Sequence, residues 1–279
     1  MEKYELLPKQ LLHEGTANES DFIVPDSLEI EKVLSVHSAD YWDRLSNLQL
    51  SDREQRVSGF VHSQELIQRE LCIMEGTRRL AEEALTKKLG FNIAGGTHHA
   101  FVDRGEGFCL LNDQVIAAND LLTQQGIQKI LIIDLDVHQG NGTAAMLQDD
   151  DRVFTFSMHG RNNYPLQKEQ SNLDVELDDG IQDKAYLHLL SEHLDRILSS
   201  FTPEFIFYQC GVDILASDKL GKLGVSMKGC QERDRLVFDA VRQLNVPVVC
   251  TMGGGYSPQI KDIVEAHAQT FRVGMHTIL

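Results

Sequence analysis

The sequence lacks the features that mark membrane, secreted and nucleic-acid-binding proteins. No apolar run approaches the ~20 residues that a membrane-spanning helix requires, and the N-terminal segment MEKYELLPKQ lacks the apolar core of a signal peptide. The 5 cysteines stand far apart without a CxxC pair, which indicates free thiols in a reducing compartment. The formal net charge of -16 disfavours direct nucleic-acid binding. We therefore expect a cytoplasmic protein with no membrane or nucleic-acid partner.

Breaks between domains are also missing from the sequence. The 6 prolines are scattered, and no stretch rich in Pro, Gly or Ser is long enough to act as a linker. The 279 residues, 42% of them hydrophobic, can form one sizeable core. We predict a single domain over residues 1–279.

Short apolar runs alternate with amphipathic segments from Phe91 onward, whereas the pattern before Phe91 is helical and without a convincing strand. The candidate strands begin at Phe91, Lys129, Val153, Phe205 and Val246. The candidate helices cover residues 65–88, 112 or 113–123, 183–199 and 231–244. Strands that are apolar on both faces and alternate with helices predict an α/β fold, in which a mainly parallel central sheet is flanked by helices on both faces.

Polar and titratable side chains follow the ends of these candidate strands. In order along the chain they are Thr97, His98 and His99; Asp134, Asp136 and His138; Ser157, Met158 and His159; Asp213; and the Gly253–Tyr256 segment. Ligands of open α/β sheets bind outside the carboxyl ends of the strands. The sequence therefore predicts one functional site at this edge of the sheet.

The stretch DLDVHQGNG places two aspartates and a histidine at alternate positions where a strand should end. If the strand stays extended, the Cα atoms of Asp136 and His138 lie ~6.6 Å apart, and those of Asp134 and His138 lie ~13 Å apart. Asp136 and His138 can then hold one ion, and Asp213 is the best third ligand. Asp134 is too far from His138 to bind the same ion and is better placed to support the ligands. A histidine with carboxylates suits zinc or a similar divalent metal. The alternative is that these residues only cap a strand end.

Two further motifs supply groups for acid–base chemistry. In GGTHH, the His98–His99 pair places a general base near the predicted metal. In GGGY, Tyr256 can donate a hydrogen bond to a carbonyl oxygen that becomes an oxyanion. Either motif alone is more often an ordinary loop, and the predicted metal site beside them favours catalysis.

The segment GNGTAA fits a variant of the dinucleotide-binding fingerprint. That fingerprint also needs an acidic residue at the end of the next strand, where this chain offers Ser157 and His159. We therefore reject a nucleotide-binding function for this segment.

Taken in order, the motifs GGTHHA, GFCLLND, DLDVHQGNG, GVDIL and GGGY resemble the histone deacetylase family of zinc amidohydrolases. HQGNG, RNNYP and LGKLGVS look most like class IV deacetylases and their bacterial relatives. The resemblance covers nearly the whole chain and implies the arginase/deacetylase fold. Relatives usually begin earlier, with a first strand for which this chain shows no counterpart, so one sheet strand and part of the pocket rim are expected to differ.

The resemblance also assigns roles to the residues of the site. It implies one zinc per chain on Asp136, His138 and Asp213, with His99 as general base and acid and His98 as its electrostatic partner. Asp134 would support His98, Asn141 would support His99 where many members have Asp, and Tyr256 would polarise the substrate carbonyl.

The resemblance further implies a structural K⁺ or Na⁺ site and a substrate tunnel. Asp134, Ser157 and the backbones of Asp136, His138 and Met158 would hold the monovalent cation. Gly107 and Phe108 would form one wall of an acyl-lysine tunnel, Tyr164 the other wall, and Leu220 its gatekeeper.

The predicted function is zinc-dependent removal of acetyl or longer acyl groups from the ε-amine of lysine in a peptide or protein. One alternative is the same reaction on an acetylpolyamine or another small N-acyl amine. The resemblance favours acylated lysine, because acetylpolyamine-specific relatives tend to carry Glu at the position of Leu220. A non-enzymatic alternative is a catalytically inactive protein that binds acyl-lysine. A two-metal ureohydrolase is disfavoured because Gly140 stands where a further carboxylate ligand is needed. Acyl-chain length and oligomeric state stay open.

Overall fold

The structure, a computed structural model, describes residues 2–279. The helices are α1 Lys3–His13, α2 Ile30–Leu34, α3 Ala39–Ser46, α4 Asp52–Ser58, α5 Gln64–Lys87, α6 Asp113–Gln124, α7 Asn141–Leu147, α8 Asp183–Ser200, α9 Met227–Leu244 and α10 Ile260–Ile278. The strands are β1 Leu89–Asn92, β2 Ile130–Asp134, β3 Val153–Gly160, β4 Leu173–Leu177, β5 Phe205–Gln209 and β6 Val248–Thr251. Within residues 2–279, no helix is both long enough and apolar enough to cross a membrane.

The strands form one sheet in the order β1-β6-β5-β2-β3-β4, and every neighbouring pair is parallel. The carboxyl ends of the strands therefore lie along one edge. β2 and β5 are central, with Asp134 paired to Gln209 at their ends. This topology brings the loops after β1, β2, β5 and β6 together, as the sequence pattern predicted.

Both faces of the sheet are buried, which explains why the strands are apolar at consecutive positions. On β2, Leu131 and Ile133 belong to the core under α8, α9 and α10. Ile130 and Ile132 belong to the core under α5 and α6. The alternation follows from the two-residue period of a strand, and the predicted α/β sheet with helices on both faces is confirmed.

Capping side chains mark the starts of α6 and α9. Asn112 caps α6, because its side chain accepts a hydrogen bond from the Val115 backbone N–H. The Ser226 side chain accepts from the Gly229 N–H and begins α9 at Met227, four residues before the predicted start. The sequence pattern missed β4, an edge strand in which Asp174 and the exposed Glu176 interrupt the apolar positions.

The first helix fixes the N-terminal residues against the site. α1 buries Leu7 and Leu11 in a small core with Val264 and Phe271 of α10. This packing holds Lys3, which is only 5% exposed, close enough to the β6 loop to donate a hydrogen bond to the Gly253 carbonyl at 3.0 Å.

A buried ionic network joins α9 to the sheet and to α10. Asp234 accepts hydrogen bonds from Tyr208 at 2.6 Å, Thr270 at 2.7 Å and Arg233 at 2.9 Å. Arg233 and Asp234 are both fully buried. Removing one partner of such a pair leaves the other charge uncompensated in the interior.

We expect Asp234→Ala to lower the free energy of unfolding by about 3–5 kcal/mol, because Arg233 would keep a buried charge without its partner. Asp239→Ala is the control, since Asp239 pairs with Arg242 on the exposed side of the same helix and should lose at most about 1 kcal/mol. Urea denaturation measures the free energy of unfolding of both variants. Equal losses of this free energy in the two variants would contradict a stabilising role of the network.

Candidate active site

Three buried ionisable residues meet where β2 and β5 end. Ligand-type atoms of Asp136, His138 and Asp213 all lie within 4.8 Å of one another. His138 Nδ1 lies 3.0 Å from Asp136 Oδ1 and 3.1 Å from Asp213 Oδ2. The structure thus brings together the three residues that the sequence singled out as metal ligands.

The extended geometry expected for DLDVH is wrong. β2 ends at Asp134, and the next residues turn away because side chains take over the backbone hydrogen bonds. Asp134 Oδ1 accepts from the Asp136 N–H at 3.1 Å, and Asp136 Oδ1 accepts from the His138 N–H at 3.0 Å. Aspartate side chains commonly form such turns two residues ahead. The turn, not strand alternation, therefore places Asp136 and His138 side by side.

The electrostatics of this cluster suit a divalent cation. Burial and the neighbouring Asp136 charge raise the pKa of Asp213. Burial is the largest single influence on Asp136 and opposes its charge, but the hydrogen bond from His138 and the charges on His98 and His138 together hold the pKa of Asp136 well below its ordinary range. Asp213 Oδ1 accepts from the Val137 N–H at 2.9 Å, whereas the buried Oδ2 accepts no hydrogen bond and has His138 Nδ1 as its ionic neighbour at 3.1 Å. Such a carboxylate oxygen beside a second carboxylate and an imidazole is a donor set that fits zinc.

Glycines leave room for these carboxylates. A Cβ on Gly254 would collide with Asp213 Oδ2, and a Cβ on Gly211 would collide with Asp136 Oδ2. The Gly254 N–H also donates to Asp136 Oδ2 at 2.7 Å. The glycine-rich loop after β6 therefore approaches the cluster with its backbone.

The histidine pair of GGTHH lies next to the cluster, and each ring has a different partner. His98 Nδ1 is 2.7 Å from Asp134 Oδ2, and His99 Nδ1 is 2.6 Å from Asn141 Oδ1. The two rings are 4.1 Å apart, and His99 lies 6.0 Å from His138 between ring centroids. These pairs are the ones that the resemblance implied.

The partners separate the two histidines electrostatically. Burial opposes charge on His98, but the Asp134 carboxylate outweighs it and raises the pKa of His98 to about 8. Burial and the charge on His98 lower the pKa of His99 well below its ordinary value, and the neutral Asn141 amide compensates little. His99 is therefore the neutral imidazole of the pair near pH 7.

Asp113 holds the loop that carries the histidines. Its carboxylate accepts hydrogen bonds from the Gly96 and Thr97 N–H groups at 3.0 and 2.9 Å, and from the hydroxyls of Thr97 and Thr77. From the sequence, Asp113 was expected only at the start of a candidate helix. A carboxylate between the apolar segments FCLL and VIAA was the signal for this second role.

Tyr256 also lies beside the cluster and lines the same cavity as the histidine pair. Its ring is 6.4 Å from His138, and its backbone N–H donates to Asp218 Oδ2 at 2.6 Å. Burial raises the pKa of the Tyr256 phenol, and the Asp136 and Asp213 charges act in the same direction. The hydroxyl is therefore protonated and able to donate.

An outer cavity of about 350 Å³ leads to the cluster. The four substrate residues expected from the resemblance line it, namely Gly107, Phe108, Tyr164 and Leu220. The Tyr164 ring stands edge-on to His99 at 5.0 Å, and Phe108 packs edge-on against Phe60 at 5.8 Å. The cavity also contacts His99, His138 and Tyr256 at its inner end.

An inner cavity of about 130 Å³ continues beyond His99 and Tyr256. Its walls include Lys3, Tyr4, Arg69 and Glu70, none of which the sequence analysis proposed. Burial lowers the pKa of Lys3 and raises the pKa of Glu70 to about 7. The missed residues belong to helices α1 and α5. The one indication in the sequence was Glu70, an acidic residue within the apolar face of α5.

The residues expected to hold a monovalent cation are also adjacent. Asp134 and Ser157 are register partners on β2 and β3, Met158 is the next residue of β3, and His138 lies in the loop after β2. Ser157 Oγ lies 2.9 Å from His159 Nδ1. K⁺ or Na⁺ binding here stays a prediction.

Comparison with known proteins places this site in a family. The family model described as "Histone deacetylase domain" matches residues 1–271. An uncharacterized protein of a Picosynechococcus strain is 42% identical over 272 residues, which cover 98% of this chain and 91% of that protein. Histone deacetylase 2 of Arabidopsis thaliana is 33% identical over 265 residues, covering 91% of this chain and 68% of that protein. The chain belongs to the histone deacetylase family.

The fold agrees with this family. A crystal structure of a histone deacetylase homologue in complex with SAHA matches the chain with a TM-score of 0.82 and 25% identity, covering 95% of this chain and 76% of that one. The arginase/deacetylase fold implied by the resemblance is thereby confirmed. Family membership supports a hydrolase of the deacetylase type.

For this deacetylase-family chain, we expect zinc to stabilise the metal-free protein, by about 2.7 kcal/mol when free zinc is 100 times Kd. Asp213→Asn should abolish most of this gain, because the amide removes one negative ligand from the cluster. Thermal unfolding with and without zinc measures it, and Asp239→Asn is the exposed control. Equal zinc stabilisation of Asp213→Asn and wild type would contradict the assignment of the site.

Proposed function

We propose that the chain hydrolyses the amide bond of acylated lysine side chains, with zinc held by Asp136, His138 and Asp213. The observation that carries the proposal is that two members of a metal-type cluster, Asp136 and His138, line one cavity together with the neutral buried His99 and the protonated Tyr256. Each of these groups suits one requirement of amide hydrolysis. A zinc ion in this place would polarise the acyl carbonyl and lower the pKa of the attacking water toward ~7.

His99 is the proposed general base and acid. Its Nδ1 is engaged by Asn141 Oδ1, an acceptor, so the ring proton lies on Nδ1 and Nε2 is free to take a proton. A neutral imidazole can accept the proton of the attacking water and return it to the leaving amine. His98 is hydrogen-bonded to Asp134 and carries a positive charge next to His99. This charge disfavours protonation of His99 before the attacking water transfers its proton.

Tyr256 is the proposed donor to the developing oxyanion. Burial and the two carboxylates keep its hydroxyl protonated, which is the form that can donate. A donor aimed at charge that develops only in the transition state stabilises that state more than the substrate.

The outer cavity fits the aliphatic part of a lysine. Phe108 and Tyr164 offer aromatic walls, and both are partly exposed to the cavity. The charged side chains at its wall, histidines aside, are Arg56 and Lys222, and neither forms an ion pair among the described residues. Two cations at the entrance repel the additional ammonium groups of a polyamine, which supports acyl-lysine over acetylpolyamine.

The inner cavity supports a short acyl group. Its volume of about 130 Å³ is slightly below the ~150 Å³ of an engineered cavity that holds one benzene molecule. A longer chain would also have to bury methylene groups against Lys3 and Glu70, which leaves buried polar groups without water.

We expect His99→Ala to lower kcat/KM on an acetyl-lysine peptide by about 10²–10⁴-fold, because general acid–base catalysis is lost. Tyr256→Phe should lower it by about 10²–10³-fold through loss of the oxyanion donor. Steady-state kinetics with matched zinc content measure both, and His188→Ala, on the exposed side of α8, is the control. Near wild-type turnover by His99→Ala would remove His99 from the mechanism.

In a series of acyl-lysine peptides from acetyl to myristoyl, we expect kcat/KM to fall by at least about tenfold once the chain exceeds the inner cavity. Acetylspermidine should be a poorer substrate than the acetyl peptide. Lys3→Met should reduce the difference in kcat/KM between short-chain and long-chain substrates, since it removes a buried cation. A preference of the wild type for myristoyl-lysine would contradict the short-acyl assignment.

A further inference from the structure

Glu106 stands between two residues that contact His99. We propose that Glu106 is a positioning residue whose carboxylate holds both Asn141 and Tyr164, and thereby fixes which nitrogen of His99 carries the proton. The inference rests on the proposed function, because it assigns a role in preparing the general base.

The contacts of Glu106 are specific. Its side chain is 17% exposed, and Oε1 accepts from Arg104 Nε at 2.8 Å. Oε2 accepts from the Tyr164 hydroxyl at 2.7 Å and from Asn141 Nδ2 at 3.5 Å. One carboxylate oxygen is therefore shared by the residue that bonds His99 Nδ1 and the residue whose ring packs against His99.

The carboxylate decides the orientation of the Asn141 amide. An ionised carboxylate only accepts hydrogen bonds, so the Asn141 NH₂ group must face Glu106. The Asn141 oxygen must then face His99, which places the ring proton on Nδ1. Without Glu106 the Asn141 amide could rotate by half a turn and point its NH₂ group at His99. That group can donate a hydrogen bond to His99 Nδ1 only if Nδ1 carries no proton. The proton would then occupy Nε2, and His99 could not act as a base there.

The same segment holds the imidazole from its other side. Gly107 has a φ of +52°, and a Cβ at this position would lie 2.7 Å from His99 Cδ2. Tyr164, bonded to Glu106, stands edge-on to the ring at an angle of 88°. Residues 106 and 107 therefore restrain His99 both directly and through its neighbours.

The arrangement depends on an amide at position 141. In an Asn141→Asp variant, two carboxylates would face each other at the place where an amide now donates to Glu106. Like charges at that separation repel. Removing the Glu106 charge should therefore harm the wild type and help the Asn141→Asp variant.

The test is a double-mutant cycle of Glu106→Gln and Asn141→Asp, with an acetyl-lysine peptide as substrate. We expect Glu106→Gln alone to lower kcat by about tenfold with little change in KM, and to raise kcat by about tenfold in the Asn141→Asp background. Asp103→Asn is the matched control, because Asp103 also pairs with Arg104 in this loop but does not contact Asn141 or Tyr164. Wild-type kcat for Glu106→Gln, or the same loss in both backgrounds, would overturn the proposal.

A second readout separates this proposal from the proposed function. Long-range ¹H–¹⁵N spectra of the imidazoles report which nitrogen of His99 carries the proton, whether or not the chain turns over any substrate. We expect Nδ1–H in the wild type and a detectable fraction of Nε2–H in Glu106→Gln, with thermal unfolding unchanged. An unchanged tautomer in Glu106→Gln would overturn the role of Glu106 even in an active enzyme.

Discussion

Two buried carboxylates share one histidine at the carboxyl edge of the sheet, and the arrangement of the site follows from that contact. Asp136 and Asp213 come from loops after β2 and β5, and His138 lies between them. Placing two negative charges in the interior is costly unless a cation or several hydrogen bonds compensate. Backbone N–H groups of Val137 and Gly254 supply part of that compensation. Asp213 Oδ2 contacts His138 but accepts no hydrogen bond, and a divalent metal would satisfy this oxygen.

The location of the site could be predicted from the sequence because it depends on topology. Apolar runs such as that of β2 identify a parallel sheet, and parallel strands align their carboxyl ends. The extended geometry of DLDVH could not be predicted correctly, because the Asp134 and Asp136 side chains replace the strand ladder with turns. The edge strand β4 was missed for a different reason, since two acidic residues alternate with its apolar ones and no apolar run is formed.

Residues that reach the site from distant segments gave little signal in the sequence. Lys3 arrives through the packing of α1 on α10, and Glu70 is carried by the long helix α5. Glu106 lies only one residue before the tunnel wall, yet its contact with Asn141 joins positions 35 residues apart. We propose that such side chains set the preferred acyl-chain length and the histidine tautomer, two properties that the fold class alone does not determine.

The central claim is that Asp136, His138 and Asp213 hold one catalytic zinc. Anomalous X-ray scattering at the zinc absorption edge, from crystals of the zinc-loaded protein, tests it most directly. The account predicts one peak per chain, at ~2.0–2.2 Å from ligand atoms of all three residues. An active protein whose crystals show no peak between these residues, or show zinc bound elsewhere instead, would contradict it.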